Sequence, residues 1–204
     1  MTIAREGVTR LGNRTRLTNC FNQYNINKKQ DRIYVDDRQL WNLGTERLKG
    51  LLADLPVGTG LTLTKLLTRY RQSKEALAAT VAEVDAASVC RECGGQCCLN
   101  GKYRMNAFDS LACLAAQTTT SAEFTQKPVC PYGTDTGCTM GPELRPADCV
   151  LFICDAVDQK LSPQARLNFA AQEHILRECL HEASCLTGEE LRTPLLLWAK
   201  KSCV

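Results

Sequence analysis

Apolar positions along the chain form three periodic stretches, and a fourth stretch has no period. From Gln39 to Leu55, the residues Leu40, Trp41, Leu43, Leu48, Leu51, Leu52 and Leu55 recur at helical spacing, which predicts one or two amphipathic helices broken near Gly44. "PVGTG" at 56–60 is expected to end them. Leu63, Leu67, Tyr70, Leu77, Val81 and Val84 then follow steps of four and three residues, with Lys74 interrupting the series. That pattern predicts a long helix with one apolar seam running directly into Cys90. The seam is too short and broken for an intermolecular coiled coil, so its expected partners are the protein's own helices.

Near the C-terminus, Ser162 and Pro163 make a helix start, a side-chain cap followed by a residue suited to the first helical position. The helix is expected to run to about Leu186, with Phe169, Ile175, Leu176, Cys179, Leu180 and Ala183 on one face. A shorter helix through Leu197 and Trp198 follows it. Residues 99–155 show no sustained period and are rich in Gly, Pro and Thr, as in "QTTTSAEFTQKP" at 117–128. A segment of this kind rarely folds on its own and needs something to tie it down. Residues 1–38 read as a loosely ordered basic arm with a strand-like "RIYV" at 32–35. The expected organisation is therefore an arm (1–38), a helical segment (39–89), a cysteine-rich segment (90–155) and C-terminal helices (156–204).

A chain of 204 residues can bury a core without covalent staples. A formal charge of +3 is too small to argue for nucleic acid. The longest apolar run, "PLLLWA" at 194–199, is far short of the roughly 20 residues that span a bilayer. The first twenty residues lack the apolar core of a secretory signal, so the expected location is the cytoplasm. What changes the picture is the 13 cysteines. In a reducing compartment, closely spaced cysteines read as metal ligands or redox groups rather than as disulfides.

"CRECGGQCC" at 90–98 places four of them in nine positions. Cys90 and Cys93 have the two-residue spacing that lets successive sulfurs face one centre, Cys97 follows, and Gly94 and Gly95 supply the permissive backbone. Cys98, adjacent to Cys97, more naturally serves a second metal or an alternative position. Cys130, Cys138, Cys149 and Cys154 lie downstream, completing eight thiols, enough for two four-cysteine sites or for one site with structural thiols. Their spacing matches neither a zinc ribbon, nor a bacterial ferredoxin, nor a radical S-adenosylmethionine enzyme. Thiolate-rich sites carry negative charge, and Arg91, Lys102, Arg104 and Arg145 are the cations expected to offset it. Cys20, Cys113, Cys179, Cys185 and Cys203 read as small buried hydrophobes.

"CRECGGQCC", together with Cys130, Cys138 and the Arg145, Pro146 and Cys149 of "RPADC", resembles the zinc- or iron-chelating CxxCxxxCC family, the YkgJ-type cysteine-cluster proteins. Flagellin lysine N-methylase is a relative of that family for which an iron-sulfur cluster is implied. The resemblance covers about residues 90–154. It implies that Cys90, Cys93, Cys97, Cys98, Cys130, Cys138, Cys149 and Cys154 hold metal, and it favours a [4Fe-4S] cluster over zinc. This chain departs from the family in "CTMGPELRP", which is one residue longer than the usual C-x-I-Y-x-x-R-P and lacks its Tyr. Cys113 is a further thiol between the two blocks and leaves the ligand set there open.

A second group, His174, Glu178, His181 and Cys185, lies within about 60° on the C-terminal helix. It has metal-site residue types but falls opposite the apolar face, and reads as an exposed polar stripe. Phosphate-loop and nucleophile-elbow motifs do not occur. The expected fold is mainly α, with helices flanking an irregular, metal-stabilised cysteine-rich insert, and the expected function is metal binding. The alternative is an iron-sulfur-dependent enzyme that modifies a protein or peptide, such as an S-adenosylmethionine-dependent methylase, whose catalytic residues the sequence does not identify. If the metal is zinc, the domain is structural and acts through a protein or peptide partner, as it would if the arm and long helix dock one.

Overall fold

The computed structural model describes residues 36–92, 96–118, 122–125, 130–134 and 137–201. The arm, "RIYV", Cys20, Cys93 and Cys203 lie outside the described residues. Within them the protein is mainly helical: α1 (Asp37–Asp54), α2 (Val57–Ala82), α3 (Ala86–Glu92), α4 (Ala107–Ala115), α5 (Ala147–Leu151), α6 (Asp155–Asp158), α7 (Pro163–Thr187) and α8 (Leu195–Lys201). Two short 3-10 helices, Gln96–Tyr103 and Pro142–Leu144, join a two-stranded hairpin of β1 (Gly133–Thr134) and β2 (Gly137–Cys138). The hairpin is antiparallel, with Gly133 opposite Cys138 and Thr134 opposite Gly137.

The helix starts follow side-chain chemistry. Asp36 caps α1 by accepting from the Gln39 N–H at 2.7 Å, and Gln39 returns the bond to the Asp36 N–H. Ser162 accepts from the Ala165 N–H at 3.1 Å, and Pro163 opens α7, as the sequence predicts. Gly188, at φ +70°, closes that helix in the left-handed conformation glycine tolerates.

Two expectations about helix limits differ from the structure. Gly44 does not break α1, which runs through it; a Cβ there would lie 2.8 Å from Leu195 Cδ1, so the glycine lets α8 cross closely. "PVGTG" ends α1 only at Pro56, because Val57 already begins α2. Nor does the long helix reach Cys90. It stops at Ala82, Asp85 turns left-handed at φ +53°, and Cys90 falls on the separate α3.

α2 packs along α7, and α1 along α8. The middle of the chain supplies the most enclosed helix. In α4 every residue from Ala107 to Cys113 is buried, and the helix touches α1, α2, α8 and the second 3-10 helix. Its first N–H groups are satisfied across the fold, Ala107 donating to Thr193 O and Phe108 to Leu191 O, both at 3.1 Å. The segment without periodicity thus contributes the centre of the core. At the α1–α8 edge, Arg47 donates to both carboxylate oxygens of Glu189 at 2.9 and 3.0 Å and stacks 3.9 Å from the centre of the Trp198 ring.

Candidate metal centre

The cysteine-bearing segments are held by a buried polar group that begins with the interruption in the α2 seam. Lys74 is fully buried and donates to Asp109 Oδ1 at 3.1 Å and to the Arg145 carbonyl at 2.7 Å. Tyr70 OH donates to the same carboxylate oxygen at 2.9 Å, and the Ala147 N–H reaches Oδ1 and Oδ2 at 3.1 and 3.2 Å. Asp109 is tied to its own helix start by donating its N–H to Asn106 Oδ1 at 2.7 Å. Burial pushes the Asp109 carboxyl up, against the pull of the Lys74 ammonium and of the hydrogen bonds it accepts. Every one of those side-chain contacts is donated to the carboxyl, whose oxygens act as acceptors throughout.

This group grips "RPADC" on both sides of Pro146. Arg145 O and Ala147 N are its two backbone contacts, and Ala147 is the first residue of α5, the helix that carries Cys149. Sequence reasoning singled out Lys74 only as a flaw in a seam; Tyr70 and Asp109 it did not connect with the cysteines.

Cys149 has neighbours of the right kind. Burial pushes its thiol up; Arg104 pulls in the opposite direction, and Cys130, Asp109 and Cys138 push further. The residue as a whole is exposed, so the thiol sits at a rim, backed by protein on one side. Arg104, among the four expected cations, is the one whose charge acts on this thiol. It is aimed by a 3.1 Å bond to the Asp148 carbonyl and lies 5.4 Å from the Phe152 ring centre. Lys102 is instead paired with Asp37 at 2.8 Å, and Arg145 Nε donates to the Met140 carbonyl at 3.1 Å.

Cys130 is buried at the entrance of the hairpin, whose turn is drawn in by Gly133 N–H to Cys130 O and Thr139 N–H to Tyr132 O, both 2.9 Å. The hairpin places exposed Cys138 across from Gly133. Gly101, at the end of the first 3-10 helix, is pressed on Cys130: a Cβ there would fall 2.3 Å from its Sγ and 2.9 Å from its Cα. The chain leaving the first cysteine block therefore touches the first thiol of the second block. Cys98 and Cys90 are exposed. α3, which carries Cys90, packs against α6, which Cys154 caps. Cys93 and the side chain of Cys97 lie outside the described part.

Tyr132 closes the inner wall. It is 2 % exposed, its ring centre is 5.8 Å from that of Trp41, and its hydroxyl has no hydrogen-bond partner among the described residues. Burial pushes the hydroxyl up, and the charges of Cys130, Cys113, Asp109 and Cys149 act in the same direction.

The remaining cysteines divide. Cys179 is fully buried in α7, and Cys113 is buried in α4 with its thiol 3.8 Å from Leu144 O and pushed up to about 12 by burial. Cys185, expected inside, is exposed, with its sulfur 3.8 Å from His181 Nε2. On the same stripe Glu178 contacts His174 at 3.1 Å and pairs with Arg69 of α2 at 3.0 Å, so its carboxylate is engaged within the helix pair.

Among the described residues, no group of three or more His, Cys, Asp or Glu side chains converges closely enough to hold a metal ion. The donor chemistry nevertheless suits one: soft thiols at Cys130, Cys138 and Cys149, with Arg104 beside Cys149 and a glycine contact joining the two cysteine blocks. No family model, no curated protein and no solved structure matches the chain.

Proposed function

We propose that the protein binds a metal through thiolates, with a [4Fe-4S] cluster favoured and zinc the alternative. The supporting observation is that Gly101 presses on Cys130, and that Arg104, Cys130 and Cys138 lie in the electrostatic surroundings of Cys149 on α5, although these residues come from four separate segments. Cys130, Cys138 and Cys149 are the ligands for which this neighbourhood speaks. Cys90, Cys93, Cys97, Cys98 and Cys154 complete the proposed set from the sequence pattern. Bound metal would supply strong cross-links where the backbone is irregular, and soft thiolate donors suit iron-sulfur and zinc alike. The preference for iron rests on the resemblance of "CRECGGQCC" and "RPADC" to the cysteine-cluster family.

Anaerobic purification followed by metal and sulfide analysis and an absorption spectrum tests this reading. Brown protein with iron and acid-labile sulfide is the expected result. Colourless protein with stoichiometric zinc and no sulfide overturns the iron-sulfur assignment. Metal-free protein that takes up neither zinc nor iron and sulfide overturns both.

A further inference from the structure

The Tyr132 hydroxyl is out of keeping with the rest of the interior. The buried Tyr70 hydroxyl is satisfied by Asp109, whereas the Tyr132 hydroxyl, equally enclosed, has no partner among the described residues. An enclosed hydroxyl without a partner is destabilising, and phenylalanine would fill the same space without that cost. Its position supplies a reason to keep it. Tyr132 lies two residues after Cys130 and just before β1, and its carbonyl accepts from the N–H and hydroxyl of Thr139, the residue after Cys138. A neutral thiol is a weak hydrogen-bond acceptor; a metal-bound thiolate or a bridging sulfide is a strong one.

We propose that Tyr132 is a positioning residue whose hydroxyl donates to a sulfur of the metal site and finds its partner only in the loaded protein. The proposal rests on the metal-binding reading above. It gives Tyr132→Phe opposite effects in the two states. In the metal-free, reduced, full-length chain, the variant should unfold at the same or a higher urea concentration than the wild type. Loaded with iron and sulfide, or in parallel with zinc, it should lose metal to a competing chelator at about tenfold lower chelator concentration, the scale on which partners of metal ligands act. Tyr70→Phe is the control, because its hydroxyl is already bonded: it should weaken the metal-free chain, which Tyr132→Phe should not.

Equal chelator resistance of wild type and Tyr132→Phe overturns the role of the hydroxyl while leaving the metal reading intact. Loss of stability by Tyr132→Phe in the metal-free chain also overturns it, since that is the mark of a purely structural contact. A wild-type chain that takes up neither iron and sulfide nor zinc overturns the metal reading and this proposal together.

Discussion

Cysteine is used in two ways in this molecule, and the contrast follows the backbone. In α4 and α7, Cys113 and Cys179 replace small apolar residues: they are buried and sit on regular helices among leucine, alanine and phenylalanine. Along the other edge, Cys130, Cys138 and Cys149 lie on a turn, a two-residue strand and a one-turn helix. There the backbone is held by the hydrogen bonds and ion pair of Lys74 and Asp109 together with buried neighbours such as Met140, Leu144 and Val150. A thiol that fills space needs only volume, whereas thiols that meet need a backbone that turns sharply, and such a backbone must be fixed by something other than its own periodicity.

The comparison can be broken most directly by alkylation. With the Cys113 thiol pushed up to about 12, only about one molecule in ten thousand carries the thiolate at pH 8. Iodoacetamide should therefore label exposed Cys138 in the native, metal-free chain and leave Cys113 unmodified until denaturant is added; labelling of both at one rate would contradict the division. Next in size is Lys74→Met. Removing one partner of a buried pair leaves the other unpaired, and a loss of about 3–5 kcal/mol in urea unfolding is expected. A loss under about 1 kcal/mol would mean that the cysteine edge is held by other means.

The two close glycines give a smaller, sharper test. Gly101→Ala would drive a methyl into Cys130 down to its Cα, costing about 1–3 kcal/mol and lowering metal uptake. Gly44→Ala meets side chains alone, Leu195 at 2.8 Å and Ala199 Cβ at 3.3 Å, and the better helix propensity of alanine offsets part of the crowding, so a net change within about 1 kcal/mol is expected. Equal effects at the two sites would remove the special status of the Gly101 contact. Smallest is Arg69→Ala, which breaks an exposed bridge to Glu178 between α2 and α7; about 0.2–1 kcal/mol should be lost, and less at high salt.

The amphipathic helices were legible because one of their faces is wet. α1, the body of α2, α7 and α8 stand where leucine spacing and the Ser162 and Pro163 signals put them. α4 was not legible for the opposite reason: from Ala107 to Cys113 it is buried on all sides, so "AFDSLAC" shows no contrast of faces. Gly44 misled because glycine marks both a broken helix and a close crossing, and only the presence of Leu195 distinguishes them. The end of α2 turned on Asp85, a residue type that tolerates a left-handed backbone without announcing it. At the candidate site the thiols were visible by spacing, and Arg104 was among the cations named. The Lys74 and Asp109 pair was hidden because its members are 35 residues apart, and each alone resembles an ordinary surface charge.

The turn at Asp85 also divides how the molecule opens. The hydrogen-bonded ladder of α2 ends before it, and α3 beyond it has no buried residue. Unwinding Ala86–Glu92 consequently forfeits little packing and leaves the neighbouring long helix intact. Amide hydrogens of α3 should exchange with deuterated water through local excursions, while those around Leu67 and Leu77 wait for global unfolding. On its N-terminal side the first cysteine block is thus joined to α2 by a segment that opens with little loss of packing.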